Sequence, residues 1–500
     1  MTPGRNLLAG LASSIWSALI GLAVVPFYLK YLGIEAYGLI GFFVTTQALL
    51  QLLDMGMAPT INREVARCSA SGNLQEAGKL LHTLAVVYWG MAGAIALLIL
   101  VLAPWIAEYW LQSKQLSSQA ISHAVMLMGL VVACRWPIGL YQGALIGAQR
   151  LTVSSGISIV MASIGSIGGV AVLALISPTI EAFFIWQACV GFVYAITIRA
   201  AAWRIIGKTK QNSFDIDKLK SVWRFTAGMS AIGLTALVFT QLDKVILSKM
   251  LGLEEFGHYM LATVVVSGLF VLVGPLFNVM YPRFSALVVT GDTKKIIDLY
   301  RLGTRTLAAL LFPIAMVLAV FSEDLMLVWT GNPSLASSVA PIISILVIGS
   351  ALNGVMYFPY ALQLAYGMTW IPLMINVVLM CFLVPLLIYL AQAYGAMGGA
   401  MAWLMAEVTY VIVGPWLTHR YILNGLGSKW FFQDVGMPLA VSSLFGAVGH
   451  YGIQASGYSA YGNLMWAAGL AMLSSILILL MSRHLRNVVW NYARWKKCVI

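Results

Sequence analysis

The sequence predicts an all-α polytopic membrane protein with about 14 transmembrane helices, and its composition is the first reason. Apolar residues make up 61% of the 500 positions and charged residues only 9%, and the mean hydropathy is +0.89. A soluble domain carries about 25% charged residues, so most of this chain must lie where ionised side chains are costly. No segment between the apolar runs is long enough to bury a hydrophobic core of its own, so no soluble domain is expected.

Apolar runs of transmembrane length recur along the whole chain, which is the second reason. A helix needs about 20 apolar residues to cross the hydrocarbon of a bilayer. The first run is longer than the core of about 7–15 residues found in signal peptides, so a retained span is predicted there. The predicted spans are 7–29, 37–57, 81–103, 120–142, 151–176, 181–200, 225–248, 258–281, 302–321, 338–358, 371–391, 395–416, 436–456 and 462–482.

The distribution of Lys and Arg predicts the orientation of these spans. Most of the 29 basic residues fall on alternate connecting segments, and such segments lie on the cytoplasmic side. Both termini are therefore predicted to be cytoplasmic. The formal net charge of +12 follows from this topology, and anionic lipid headgroups are its expected partner. Nucleic acid is not an expected partner.

An internal repeat predicts two lobes. Residues 31–38, Tyr-Leu-Gly-Ile-Glu-Ala-Tyr-Gly, return at 250–257 as Met-Leu-Gly-Leu-Glu-Glu-Phe-Gly. An even number of predicted spans separates the copies, so the repeat is parallel, a pattern found in transporters that bind substrate between their halves. The predicted parts are an N-lobe at 1–200, a basic cytoplasmic linker at 201–224, a C-lobe at 225–420, and an added helix pair with a basic tail at 421–500.

Polar residues follow one face of the first two helices in each repeat. Small and polar residues at a spacing of three to four can pack helices together in lipid. They can also line a water-filled cavity, since polar groups at membrane depth face water or protein. Cavity lining is the favoured interpretation. The predicted cavity residues from these helices are Ser13, Ser17, Gln47, Gln51, Gln241 and Asn278.

Few ionisable residues lie within the predicted spans, and each is a functional candidate because an unpaired charge there costs at least about 2.5 kcal/mol. Arg135 could hold a phosphate oxygen pair in a bidentate contact or extend to the cytoplasmic face. Glu407 could bind a coupling H+ or Na+ or could pair with another helix. For Asp54 and for Lys244, which follows Asp243, solvation near a span end or a local ion pair is the simpler interpretation.

Two prolines are candidate hinges, and several catalytic motifs are absent. Pro26 and Pro275 lie in helices of the predicted lobe interface, where a proline permits either a gating bend or a static kink. The sequence has no GxxxxGK[ST], no HExxH, no cysteine pair with metal-ligand spacing and no nucleophile elbow. No metal, no cofactor and no enzymatic activity are predicted. A membrane glycosyltransferase is the enzyme alternative, but the predicted external segments are short for one.

Three segments resemble a known family. They are Leu-Leu-Asp-Met-Gly-Met followed by Asn-Arg-Glu-Val-Ala-Arg within 52–67, Tyr-Gln-Gly-Ala-Leu-Ile-Gly-Ala-Gln-Arg at 141–150, and Gln-Leu-Asp-Lys-Val-Ile-Leu-Ser-Lys-Met-Leu-Gly-Leu-Glu-Glu-Phe-Gly at 241–257. With the repeat, the likeness covers about residues 1–420. The chain resembles the polysaccharide transporters, which are the O-antigen and exopolysaccharide flippases of the multidrug/oligosaccharidyl-lipid/polysaccharide flippase superfamily.

The resemblance implies transfer of an undecaprenyl-diphosphate-linked oligosaccharide from the cytoplasmic to the periplasmic leaflet of a bacterial inner membrane. It implies alternating access driven by an H+ or Na+ gradient, and a polymerase and a chain-length regulator as partners. For such a substrate, the charges within the predicted spans make Arg135 and Lys244 the expected anion contacts and Glu407 and Asp54 the expected sites of the coupling ion; no motif of the family assigns these roles. A cation-coupled multidrug exporter of the superfamily remains an alternative. A lipid II flippase, which shares the extra helix pair but has arginines clustered on span 1, is another.

Overall fold

The computed structural model describes residues 3–54, 56–70, 74–207, 235, 237–456 and 459–481. Within these ranges the chain is helical and contains no β-strand. The chain divides into two compact units, Met1–Gly257 and His258–Ile500. Most of the predicted linker 201–224 lies outside the described residues, so the predicted lobe boundaries stay predictions.

The described part of the first unit contains six helices of 14 or more residues and a helical segment at 237–250. The helices are α1 (Pro3–Leu50), α2 (Met57–Ala70), α3 (Leu74–Trp105), α4 (Ser118–Gly147), α5 (Leu151–Leu175) and α6 (Ile180–Ile206). A seventh helix, α7 (Leu253–Ser267), begins in this unit and continues into the second.

The described part of the second unit contains eight further helices of nine or more residues. They are α8 (Phe270–Thr290), α9 (Thr293–Val320), α10 (Ser322–Thr330), α11 (Pro333–Val355), α12 (Tyr357–Ala365), α13 (Trp370–Tyr421), α14 (Met437–Ser456) and α15 (Ala460–Met481). A π-helical turn, Trp430–Gly436, leads into α14. The last two helices, which match the predicted added pair, pack against α9.

Eleven helices of the described residues are long and apolar enough to cross a membrane, which confirms the all-α polytopic fold. Two of them, Leu8–Asp54 and Trp370–Tyr421, have 47 and 52 residues, more than twice the length that one crossing requires. Each is broken at a glycine with positive φ, Gly33 at +80° and Gly395 at +56°, a conformation that costs glycine little. The exact number of spans stays a prediction, because predicted span 225–248 begins outside the described residues.

Helix α4 lies at the centre of the first unit, where it packs against α2, α3 and α6. Two glycines let α2 approach it closely. A Cβ atom on Gly143 would lie 2.6 Å from the carbonyl oxygen of Ala58, and one on Gly147 would lie 2.3 Å from that of Asn62. These separations are too short for any larger side chain, so the glycines set the distance between the two helices.

The two copies of the repeat contact each other reciprocally. A Cβ atom on Gly38 would lie 2.4 Å from the carbonyl oxygen of Leu253, and one on Gly257 would lie 2.6 Å from that of Ile34. Gly257 occupies the position in the second copy that Gly38 occupies in the first, and Leu253 likewise corresponds to Ile34. Such an exchange of equivalent contacts is what a local two-fold relation between the copies requires.

Candidate substrate cavity in the first unit

The first unit contains a partly open cavity of about 780 Å³ between its apolar helices. Its wall is formed mainly by α1, α4, α5 and α6, and polar groups are frequent on it. The polar and charged residues of the wall are Ser13, Ser14, Ser17, Gln47, Gln51, Asp54, Tyr88, Arg135, Trp136, Gln142, Ser158, Ser166, Gln187 and Tyr194. A cavity of this size and polarity can hold a hydrated group within an apolar bundle.

Arg135 places a positive charge on this wall. Its Nη2 donates a hydrogen bond of 2.5 Å to Oε1 of Gln187, and its guanidinium carbon lies 5.8 Å from the ring centroid of Phe43. Both partners are uncharged, and in the described part of the chain no carboxylate forms an ion pair with Arg135. Since an arginine keeps its proton in proteins, the wall carries a cation that is not neutralised and can attract an anion.

The local sequence makes room for this arginine. Gly191 on α6 faces its stem, and a Cβ atom at that position would lie 3.0 Å from Cγ of Arg135. Pro137 follows two residues later within α4, where its ring cannot donate the usual helical hydrogen bond. Gly191 therefore lets the guanidinium lie between α4 and α6 at the edge of the cavity.

Asp54 contributes a negative charge to the same wall. The residue ends the 3-10 turn Gln51–Asp54 that follows α1, and its carboxylate accepts hydrogen bonds from the hydroxyl of Tyr88 and from the backbone N–H of Ala58, at 3.3 Å. Ala58 lies in the first turn of α2, where exposed N–H groups favour a carboxylate. The arrangement holds one ionisable group in the cavity at a fixed place.

A neutral cluster joins three helices farther along α4. Nε2 of Gln142 donates to the hydroxyl of Tyr194 at 2.7 Å and to Oγ of Ser158 at 3.3 Å. The hydroxyls of Ser158 and Tyr194 lie 2.6 Å apart. All three side chains are half-buried on the cavity wall.

The structure brings together six of the residues that the sequence predicted for a site. Ser13, Ser17, Gln47, Gln51, Asp54 and Arg135 all lie on the wall of this cavity. Their proposed roles in binding substrate or ion stay predictions. The sequence-based prediction did not include Gln142, Ser158, Gln187 and Tyr194, although a seven-residue spacing joins Gln142 to Arg135 and Tyr194 to Gln187.

Lys244 and Gln241 are not among the residues that line this cavity. The ammonium group of Lys244 lies 3.1 Å from a carboxylate oxygen of Asp243 and donates to the carbonyl oxygen of Thr240 at 2.8 Å. This geometry is the local ion pair that the sequence left open as the simpler interpretation. Pro26 lies within α1, and the break in that helix is at Gly33 rather than at Pro26.

Three further predicted residues lie in the second unit. Asn278 and Pro275 are both part of α8. Glu407 on α13 is fully buried, and both of its carboxylate oxygens lie 3.0 Å from Nδ2 of Asn353 on α11. This contact is a pairing with another helix, one of the two interpretations left open for Glu407, and it does not test ion binding.

Among the described residues, no group of three or more His, Cys, Asp or Glu side chains is placed to hold a metal ion. The polar groups on the cavity wall are hydrogen-bonding side chains, one cation and one carboxylate. Such groups can bind a polar, anionic molecule.

Comparison with known proteins gives a consistent result. A family model described as polysaccharide biosynthesis protein matches residues 4–288. The Shigella flexneri protein named "Putative O-antigen transporter" is 22% identical over 424 residues, which cover 82% of this chain and 97% of that protein.

Solved structures share the fold. The lipid II flippase MurJ, in an inward closed conformation, matches with a TM-score of 0.70 and 13% identity, covering 97% of this chain and 100% of that chain. An inward-facing multidrug resistance transporter of the MATE family and MOP superfamily matches with a TM-score of 0.67 and 12% identity, covering 83% of this chain and 96% of its own.

Proposed function

Because the chain belongs to the polysaccharide biosynthesis protein family, we propose that it flips an undecaprenyl-diphosphate-linked oligosaccharide between leaflets. The direction is from the cytoplasmic to the periplasmic leaflet of a bacterial inner membrane, and both termini are cytoplasmic in this proposal. The observation that carries it is Arg135, a cation with uncharged partners on the wall of a polar cavity.

The charge of Arg135 suits the diphosphate. A guanidinium binds phosphate oxygens through two parallel N–H bonds, and Arg135 uses only its Nη2 in the contact with Gln187. In a membrane interior of low dielectric constant, one such cation attracts an anion more strongly than it does in water. The diphosphate therefore has a site at membrane depth.

The size and lining of the cavity suit the sugars. Ligand cavities usually have volumes of about 300–1,000 Å³, and this one has about 780 Å³. Its amides and hydroxyls replace the water that a sugar loses on leaving solution, which removes most of the cost of burying polar groups. The prenyl chain is apolar and can remain in the lipid while the headgroup crosses.

Ion coupling completes the proposal. Asp54 and Glu407 are the proposed sites for H+ or Na+, and Pro26 and Pro275 are proposed to bend as two lobes alternate access to the cavity. Asp54 is the stronger candidate, because it lies on the same wall as Arg135 and protonation of its carboxylate would change the charge that a bound diphosphate meets. Gln241, Lys244 and Asn278 remain proposed contacts. A polymerase and a chain-length regulator remain proposed partners.

A lipid II flippase is the second candidate function. The observation that favours it is the fold similarity to MurJ over 97% of the chain, since the matching multidrug transporter covers only 83%. Both candidate substrates are prenyl diphosphates that carry sugars, so Arg135 would serve either one.

Deletion of the gene tests the proposal. We expect lipid-linked repeat units to accumulate on the cytoplasmic leaflet, with loss of the surface glycan, because their headgroup cannot cross unaided. Restoration by the wild-type chain and not by Arg135→Gln would support the assigned site. Unchanged surface glycan, with growth arrest and accumulated lipid II, would favour the second candidate. Unchanged glycan and unchanged lipid intermediates, with raised drug susceptibility, would contradict both.

A further inference from the structure

Two polar contacts connect α4 and α6, and we call them the first and the second rung. The first joins Arg135 to Gln187 at 2.5 Å, and the second joins Gln142 to Tyr194 at 2.7 Å. On each helix the two residues are seven positions apart, which is two helical turns, or about 10 Å at a rise of 1.5 Å per residue. Both rungs therefore face the same cavity at different depths.

The wall between the rungs is open on its α4 side, whereas the stem of Arg135 lies against Gly191 on the α6 side. Gly139 on α4 lies between Arg135 and Gln142, and a Cβ atom added to it would meet no atom within 4 Å. Gly191 lies between Gln187 and Tyr194 on α6, and both glycines line the cavity. A molecule that touches the first rung can therefore extend along the wall to the second.

The two rungs differ in charge. The first carries the guanidinium of Arg135, whereas the second consists of an amide, a phenol and the hydroxyl of Ser158. The amide and the hydroxyls can each donate and accept hydrogen bonds, as sugar hydroxyls do. A second anion would find no cation at the second rung, and an apolar chain could not use the hydrogen-bonding capacity that these groups keep beyond their mutual contacts.

We propose that Gln142, Ser158 and Tyr194 form a subsite that binds the hydroxyl groups of the sugars attached to the diphosphate. This inference rests on the proposed function, with the diphosphate at Arg135. A diphosphate is shorter than the separation of the rungs, so the atoms that reach the second rung belong to the glycan. A site built to hydrogen-bond hydroxyl groups rejects analogues that lack them, so this cluster selects which glycan is carried.

The test compares two probes bound to the purified full-length chain in lipid nanodiscs. One probe is undecaprenyl diphosphate without sugar, and the other is the lipid-linked glycan that accumulates in the deletion strain. The variants are Tyr194→Phe and Gln142→Ala. The matched control is Ser163→Ala, because Ser163 on α5 also accepts an interhelical hydrogen bond, 2.9 Å from Nε1 of Trp16, but does not line the cavity.

We expect the wild-type chain to bind the glycan probe more tightly than undecaprenyl diphosphate. Tyr194→Phe and Gln142→Ala should each weaken glycan binding about tenfold, the effect of one or two lost hydrogen bonds, and leave binding of undecaprenyl diphosphate unchanged. Ser163→Ala should change neither. Equal losses for both probes, or no loss for either, would mean that the cluster only joins helices.

The two proposals fail differently. If the wild-type chain binds both probes equally and Arg135→Gln weakens both, the diphosphate site stands and the sugar subsite is wrong. If the wild-type chain binds neither probe, the proposed function is wrong, and the proposed sugar subsite is wrong as well. Melting temperatures of Tyr194→Phe and Ser163→Ala within a degree or two of each other exclude misfolding as the cause of a loss.

Discussion

Two arginines of the second unit and one arginine of the first unit have opposite surroundings. In the second unit, Arg301 and Arg305 of α9 converge on Asp434, whose side chain is fully buried, and their own side chains are 21% and 16% exposed. In the first unit, Arg135 has an amide and an aromatic face as neighbours and borders a cavity. The ion pairs of Arg301 and Arg305 hold the π-helical turn before α14 against α9, whereas the charge of Arg135 is available to a ligand.

The difference shows how a charge in a membrane helix acquires a structural or a functional role. Removing a charge from water costs several kcal/mol, and attraction to a well-placed charge of opposite sign offsets much of that cost. Asp434 does so for the α9 arginines, so their charges are satisfied within the fold. Arg135 is compensated only in part by Gln187 and Phe43, so an anion from outside can complete its coordination.

The largest expected effect is on stability. Asp434→Asn should lower the free energy of unfolding by about 3–5 kcal/mol, because it removes a fully buried carboxylate and leaves two half-buried guanidinium groups without their partner. Denaturant unfolding in detergent micelles measures the change. Arg67→Gln is the control, since its ion pair with Glu64 is exposed and should contribute less than about 1 kcal/mol. Equal effects of the two variants would contradict the structural role assigned to the ion pairs of Asp434.

Arg135→Gln should show the opposite pattern, with transport lost and stability kept. We expect translocation of the lipid-linked glycan to fall about 100-fold, since hydrogen bonds to charged groups contribute about 1.5–3 kcal/mol each. Arg135→Lys keeps the positive charge but lacks the planar set of N–H donors, so its translocation should fall about tenfold. Translocation in vesicles measures both. Normal transport by Arg135→Gln would remove the basis of the comparison.

The repeat contact gives a smaller effect. Gly257→Ala forces a methyl group against the carbonyl oxygen of Ile34, 2.6 Å away, and should cost about 2 kcal/mol of stability, as overpacking does. Gly21→Ala places the same methyl group in α1 where no atom lies within 4 Å, and should be neutral or stabilising. Thermal unfolding compares the two. A harmless Gly257→Ala would show that the copies can separate without penalty.

The smallest effect should separate two equivalent glutamates of the repeat. Glu35 is only 3% exposed and accepts hydrogen bonds from Ser113 and from the N–H groups of Lys114 and Gln115, whereas Glu254, its counterpart in the second copy, is exposed. Glu35→Gln should therefore destabilise by about 1 kcal/mol, and Glu254→Gln should change stability by less than about 0.5 kcal/mol. Equal unfolding midpoints would contradict this difference.

Much of the fold could be predicted because a bilayer imposes length and polarity on each span. The apolar runs, the helical class and the polar face of the first helix follow from that constraint, and Ser13, Ser17, Gln47 and Gln51 do share one cavity wall. Lys244 and Asp243 were already adjacent in the sequence, so their pairing could also be anticipated.

The side-chain contacts that could not be predicted depend on which helices are neighbours. The hydropathy of α4 and α6 gives no register between them, so the contacts of Arg135 with Gln187 and of Gln142 with Tyr194 could not be predicted. The same holds for Asn353 beside Glu407 and for Asp434 beside two arginines.

The amino-acid sequence alone therefore determined where long apolar helices lie, that a related motif occurs twice, and which few charged residues those helices contain. Only the tertiary structure decided which of those charges are neutralised and which face a cavity. The physical reason is that the cost of a buried charge depends on atoms within a few ångströms of it, and helices far apart in sequence supply those atoms.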